Sequence, residues 1–144
     1  MVWKPDVTVA TVVERDGRFL VVEERIHGRR VFNQPAGHLD EGETLLQAVV
    51  RETLEETAWH FRPQWLLGTY LQRHPRGGTT LRFAFGGELL THEPGRPLDV
   101  PIIATHWLTR AELAARAGEL RSPLVLRCID DHLAGRRHGL ELLG

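Results

Sequence analysis

A chain of 144 residues, 42% hydrophobic and 26% charged with a formal net charge of −1, suits one globular domain and carries no general attraction for nucleic acid or an anionic membrane. Scarce residues narrow the chemistry: Lys4 is the one lysine and no G-x-x-x-x-G-K-[ST] loop exists, Ser122 is the one serine and lies outside any G-x-S-x-G, and Cys128 is the one cysteine, in an apolar stretch. These facts exclude a P-loop nucleotidase, a serine hydrolase and a disulfide framework, so that a hydrolase built on this chain uses water as its nucleophile, activated by carboxylates.

Taken in chain order, Val7-Thr-Val-Ala-Thr-Val-Val13 is a β-branched run that predicts a buried strand. Asp16-Gly17 marks a turn, and Phe19-Leu-Val-Val-Glu23 is its hairpin partner. After a short Val31-Phe32 segment, the glycines and acids of Pro35 to Gly42 read as a loop. Thr44-Leu-Leu-Gln47 is a capping box opening a helix that runs to Thr57 or through Trp59, with Leu46, Val49, Val50, Thr53 and Thr57 as its apolar stripe. The absence of any residue suited to a left-handed stop in Thr57-Ala-Trp-His60 favours the longer helix.

Two strands follow, Trp65–Leu71 and Thr79–Phe85, joined by a Pro75-Arg-Gly-Gly78 turn. A proline-bearing loop from Glu93 to Pro101 precedes a short strand ending at Trp107-Leu108. Thr109-Arg-Ala-Glu112 is a second capping box, and Ser122-Pro123 places serine at the N-cap and proline at the first position of a last helix through Leu133. The order predicts a mixed α/β fold in a single domain, residues 1–144. The N-terminus shows no signal-peptide core, and with one cysteine the expected compartment is the reducing cytoplasm.

The chemistry concentrates in Arg51-Glu-Thr-Leu-Glu-Glu56. Helical spacing puts Glu52, Glu55 and Glu56 on one face, opposite the apolar stripe. Like charges so placed repel by a few tenths of a kcal/mol per pair. The spacing alone fits either a solvated helix face or a site for a hard divalent cation such as Mg²⁺, which prefers carboxylate oxygen and shares its coordination with phosphates. Arg51 has one guanidinium for two carboxylates: it suits a pairing with Glu43 across the loop and an i, i+4 pairing with Glu55.

The wider pattern, Gly37, Glu43 and then Arg51-Glu52-Thr53-Leu54-Glu55-Glu56-Thr57-Ala58-Trp59, resembles the Nudix box G-x5-E-x7-R-E-U-x-E-E-x-G-U, where U is a bulky aliphatic. Thr53 replaces an aliphatic and Ala58 replaces the closing glycine; neither change removes a ligand. The segments Trp3–Ala10, Phe19–Glu24, Asn33–Leu39, Leu81–Phe83 and Arg121–Val125 extend the resemblance to the NudJ-type phosphatases over nearly the whole chain. The resemblance implies an α/β/α sandwich with a central mixed sheet. It also implies Mg²⁺ or Mn²⁺ held by Glu52, Glu55, Glu56 and a backbone carbonyl near Ala36, with Glu43 and Arg51 tying the loop of Gly37 to the helix. The expected reaction is hydrolysis of a phosphoanhydride in a small organic phosphate by a monomer. Candidate substrates are nucleoside di- and triphosphates, hydroxymethylpyrimidine diphosphate and thiamine diphosphate.

Secondary candidates surround the box. Arg25, Asn33, Gln34, His38 and Arg82 flank the loop or lie on strands able to face it, as substrate contacts or as structural residues. Asp99, the one acid between Pro94 and Trp107, is a candidate extra ligand or base. Pro75 stands where ADP-ribose pyrophosphatases carry a proline, but it begins an Arg-Gly-Gly turn, where a proline is unremarkable and needs no such explanation. Pyrophosphate release from a nucleoside triphosphate and a catalytically silent nucleotide sensor are the other readings; the intact glutamates argue against the last.

Overall fold

The computed structural model describes residues 2–144. Its strands are β1 (Asp6–Thr11), β2 (Glu14–Arg15), β3 (Arg18–Ile26), β4 (Arg29–Asn33), β5 (Ala36–His38), β6 (Trp59–Arg73), β7 (Thr79–His92) and β8 (Ile102–Thr109). Its α-helices are α1 (Leu45–Thr57), α2 (Arg110–Ala114) and α3 (Leu124–Leu133). One sheet is mixed, in the order β5-β1-β7-β6, with β1 and β7 parallel. In the other, β3 pairs antiparallel with β2, β4 and β8.

Strand alternation divides the core between two faces. Val9, Leu66 and Phe85 pack with Ala48 and Val49 of α1. Their chain neighbours Ala10, Leu67 and Ala84 pack with Leu124, Cys128 and Ile129 of α3 and with Leu113 of α2. The mixed sheet therefore lies between α1 and α3, the α/β/α layering expected from the sequence. Both capping boxes form, Thr44 with Gln47 and Thr109 with Glu112. No helix among the described residues is long and apolar enough to cross a membrane.

Four expectations need correction. The segment expected as loop from Pro35 contains β5, whose Ala36 pairs with Ala10, so part of it is held rigidly against β1. Strand β6 begins at Trp59, well before Trp65, because Trp59 pairs with His92 and Phe61 enters the core. That pairing also ends α1. Ala58 adopts the left-handed conformation, φ 63° and ψ 15°, and its carbonyl accepts from the Glu93 amide. The longer helix through Trp59 does not occur: sheet pairing overrides the missing glycine. Finally, Pro123 caps α3 one residue later than expected, while the Ser122 hydroxyl still accepts from the Leu124 amide at 3.2 Å.

Candidate functional site

Around the helix circumference Glu56 falls beside Val49 on the side away from Thr53, Glu52 comes next, then buried Ala48, with Glu55 just beyond, so Glu56 and Glu52 lie inside the buried arc. The glutamate face is thus not opposite the apolar stripe, as the sequence reading had it; it overlaps it. Glu56 is buried, and Glu52 and Glu55 are partly buried with side chains 13% and 28% exposed. Thr53, the departure from an aliphatic, is fully buried and donates its hydroxyl to the Val49 carbonyl at 2.7 Å. It then accepts from the Thr11 hydroxyl of β1 at 2.6 Å, so the extra polar atom is satisfied.

Arg51 organises the constellation. A guanidinium has five N–H donors, and all are used here. Nε and Nη2 donate to the two carboxylate oxygens of Glu43 at 2.7 and 2.9 Å. Nη1 donates to Glu52 at 2.9 Å and Glu55 at 3.2 Å, and Nη2 also donates to the His38 carbonyl at 3.0 Å. Both roles foreseen for Arg51 therefore hold at once. Glu43 accepts further from the Asp40 amide at 2.9 Å, closing the loop onto the helix. The hydrogen bonds from Arg51 hold the Glu43 carboxyl below its usual range.

Glu56 turns the other way and accepts from the Ala36 amide at 2.9 Å. Burial, reinforced by Glu52, Glu24 and Asp99, pushes its carboxyl up to about 9 in spite of that bond. Burial also raises Glu52, and burial together with the adjoining Asp99 carboxyl raises Glu55. Asp99 arrives because its amide donates to the Glu55 carbonyl at 3.0 Å, pinning the proline-bearing loop to the end of α1. Among the described residues no three acidic, imidazole or thiol side chains converge as an ion cage, and Glu52 and Glu55 accept from Arg51 instead. The donor set nonetheless fits a hard divalent cation: oxygen donors only, crowded acids, and carboxyls that burial leaves short of compensation. Gly37 is part of that fit, because a Cβ there would fall on the Glu52 carboxylate.

Glu52 and Glu56 line a cleft of about 790 Å³, within the range of small-molecule sites, whereas Arg51, Glu43 and Glu55 are not part of its wall. Asn33, His38, Arg82 and Asp99 also line it, as do Ala36 and Gly37. Arg25 does not. On β3 it alternates with Glu24 and Ile26, which face the cleft, so its side chain projects into solvent on the other side. Gln34 is also absent from the wall: it is buried, donates to the Val125 carbonyl at 2.7 Å and accepts from Arg82 at 3.0 Å, which makes it a support for Arg82.

The sequence reading overlooked Glu24, a buried acid facing Glu56. It shares the strand phase of Leu20 and Val22, and a carboxylate continuing a buried phase was the available signal. Burial raises its carboxyl, and nearby Arg121 opposes that effect. Arg121 and Thr8 reach the cleft only through tertiary packing and had no local signal.

A model described as the NUDIX domain matches residues 3–128. The chain is 43% identical over 142 residues to Phosphatase NudJ of Escherichia coli (strain K12), covering 99% of this chain and 92% of that protein. Phosphatase NudJ of Shigella boydii serotype 4 matches with the same identity and coverage. Among solved structures, a NUDIX hydrolase from Nitrosomonas europaea superposes with a TM-score of 0.95 at 44% identity, over 98% of this chain and 97% of that one.

Proposed function

The chain belongs to the NUDIX family and is a phosphoanhydride hydrolase; from that premise we propose that it is a Mg²⁺- or Mn²⁺-dependent phosphatase of small organic diphosphates and triphosphates. The observation carrying this reading is the single constellation whose Glu52 and Glu56 line the cleft. Arg51 there binds Glu43, Glu52 and Glu55 together while Glu56 lies beside them on the Ala36 amide. Likeness to phosphatases over nearly the full chain supports release of inorganic phosphate. Candidate substrates are nucleoside di- and triphosphates, hydroxymethylpyrimidine diphosphate and thiamine diphosphate. The protein acts as a monomer in the cytoplasm, on a small molecule rather than on nucleic acid or a membrane, within one domain of residues 1–144.

Glu52, Glu55, Glu56 and the Ala36 carbonyl would hold the ion, which supplies Lewis acidity toward phosphate oxygens and toward an attacking water. The residues of the chain do the rest. Arg51 fixes the carboxylate rotamers and Glu43 fixes Arg51, so little side-chain freedom remains to be lost during the reaction. Asp99, against Glu55 at the cleft wall, is placed to accept a proton from the water. Arg82, Asn33 and His38 face the organic or distal phosphate part of the substrate. A panel of organic diphosphates and triphosphates, read for both phosphate and pyrophosphate, tests the proposal. Phosphate from diphosphates is expected; pyrophosphate alone, or AMP with ribose phosphate from ADP-ribose, would replace it by the corresponding pyrophosphatase.

A further inference from the structure

Four buried side-chain polar atoms among the described residues lack a hydrogen-bond partner, and three belong to residues of one cleft: Thr8 Oγ1, Glu24 Oε2 and Arg82 Nε. Buried polar groups are almost always satisfied, and leaving one unpaired in a fold is costly. The three divide into two groups. Glu24 faces Glu56, with Arg121 as the nearby cation, and so belongs to the acidic side of the cleft. Thr8 and Arg82 stand side by side on the mixed sheet, because parallel β1 and β7 pair them in register.

Arg82 is a buried cation left without a counter-charge. It is 5% exposed, and its partners among the described residues are all neutral. Nη1 donates to Gln34 at 3.0 Å and to the Cys128 sulfur at 3.9 Å, and Nη2 donates to Asn33 at 3.2 Å. Of its five N–H groups, Nε–H and one on Nη2 are therefore unused. Nε and Nη2 are the pair by which Arg51 grips both oxygens of Glu43, the edge that a guanidinium offers to carboxylate or phosphate oxygens. Asn33 and Gln34 are buried as well, and either of them as an acid would neutralise the guanidinium. As amides they hold it in place with its charge intact. A buried charge is costly until a partner meets it, and the partner that suits this edge and the adjacent hydroxyl is an anion.

Topology places that anion relative to the box. Thr8 pairs with Arg82 on one side and with His38 on the other, so Arg82 stands two strand spacings, roughly 10 Å, from the strand that carries Gly37. Glu52 and Glu56 border the same cleft. We propose that Arg82 and Thr8 seat the terminal phosphate of the substrate, and that this seat makes inorganic phosphate rather than pyrophosphate the product. With the terminal phosphate on Arg82, the bond presented to the box is the one joining that phosphate to the next. Water gives its hydroxyl to one phosphorus, the bridging oxygen leaves with the other phosphate, and the remaining proton passes to solvent. An organic triphosphate then yields the organic diphosphate and phosphate, whereas a chain shifted by one phosphate would yield pyrophosphate. This assignment rests on the phosphatase reading above and adds the group that fixes its product.

The test has two arms. In the first, inorganic phosphate is titrated calorimetrically into the metal-free protein, against chloride of equal ionic strength. The native protein is expected to bind it. Asn33→Asp keeps the shape and the bond to Nη2 but sets a carboxylate against the guanidinium. It should weaken phosphate binding at least about tenfold, the scale of a charge-assisted hydrogen bond, without lowering Tm by more than about 2 °C. Arg82→Gln should lose the binding as well. In the second arm an organic triphosphate is hydrolysed with Mg²⁺. The native enzyme should release phosphate, while Asn33→Asp should raise KM at least about tenfold with a smaller change in kcat, and release pyrophosphate alongside phosphate. Native protein that binds no phosphate, or Asn33→Asp that binds it within about threefold of native, overturns the assignment. So does native release of pyrophosphate from the triphosphate, or an Asn33→Asp variant that still releases phosphate alone. Each of these leaves the hydrolase reading standing. Phosphate release from no member of the wider panel overturns the phosphatase reading itself.

Discussion

Replacing Arg51 by alanine removes five hydrogen bonds that no other residue can make. Glu43, Glu52 and Glu55 have side chains 17%, 13% and 28% exposed, and each loses its cation while staying near the other two. Breaking a fully buried ion pair costs about 3–5 kcal/mol, because the surviving charge is left uncompensated. Arg51 is 26% exposed and water reaches part of the cluster, so the expected loss is smaller, roughly 2–3 kcal/mol. For a chain of this size that is a fall in Tm of about 4–12 °C, measured by thermal melt without added metal. Arg51→Lys should recover less than half, since one ammonium cannot bind Glu43 by two parallel bonds while reaching Glu52, Glu55 and the His38 carbonyl. Both variants should lose phosphate release, alanine by more. A Tm within 2 °C of native for Arg51→Ala, or normal turnover by it, refutes the view that Arg51 holds the box together.

Gly37→Ala should separate function from fold. The added Cβ displaces the flexible end of Glu52 and no backbone, so Tm is expected to move by less than about 1 kcal/mol equivalent while kcat falls at least tenfold; unchanged kcat would show that the Glu52 carboxylate position does not matter. Ala58→Gly should raise Tm by about 1–4 °C in a thermal melt. Relief of the left-handed strain, about 1–2 kcal/mol, exceeds the loss of one buried methyl, about 0.8 kcal/mol. A fall would mean that the methyl packing dominates. Glu56 governs a pH dependence: its carboxyl pKa in the fold lies above the unfolded value, so its contribution to stability decreases as pH rises from about 4.5 toward about 9. Metal-free urea melts should accordingly show a smaller drop in stability between pH 5 and 8 for Glu56→Gln than for the native chain, and equal slopes would count against the burial argument.

Much of this was legible in the sequence because it is local. The capping box of Thr44 and Gln47 fixed where α1 starts, and i, i+3, i+4 spacing brought Glu52, Glu55 and Glu56 together. The β-branched run of β1 and the Pro-Arg-Gly-Gly turn between β6 and β7 were equally readable. What escaped depends on contacts distant in the chain. Ala58 carries no mark of a helix stop; the stop is imposed by Trp59 pairing with His92. Arg25 and Glu24 are adjacent and both charged, and only the pairing of β3 with β4 and β8 decides which one enters the cleft. The burial of Glu56 could not be read from a helical wheel that treated charge as a sign of exposure. Gln34, taken as a substrate contact, proved to be the buried support of Arg82 across 48 residues of chain.

The most direct test of the central claim is phosphate release from a small organic diphosphate with Mg²⁺, with a chelator, and by Glu55→Gln and Glu56→Gln. The account predicts that the chelator abolishes turnover and that each variant lowers kcat at least about 10²-fold, the size of a loss of roughly 2.7–4 kcal/mol in the transition state, with the fold intact by circular dichroism. Turnover that survives the chelator, or activity within threefold of native in both variants, would contradict it.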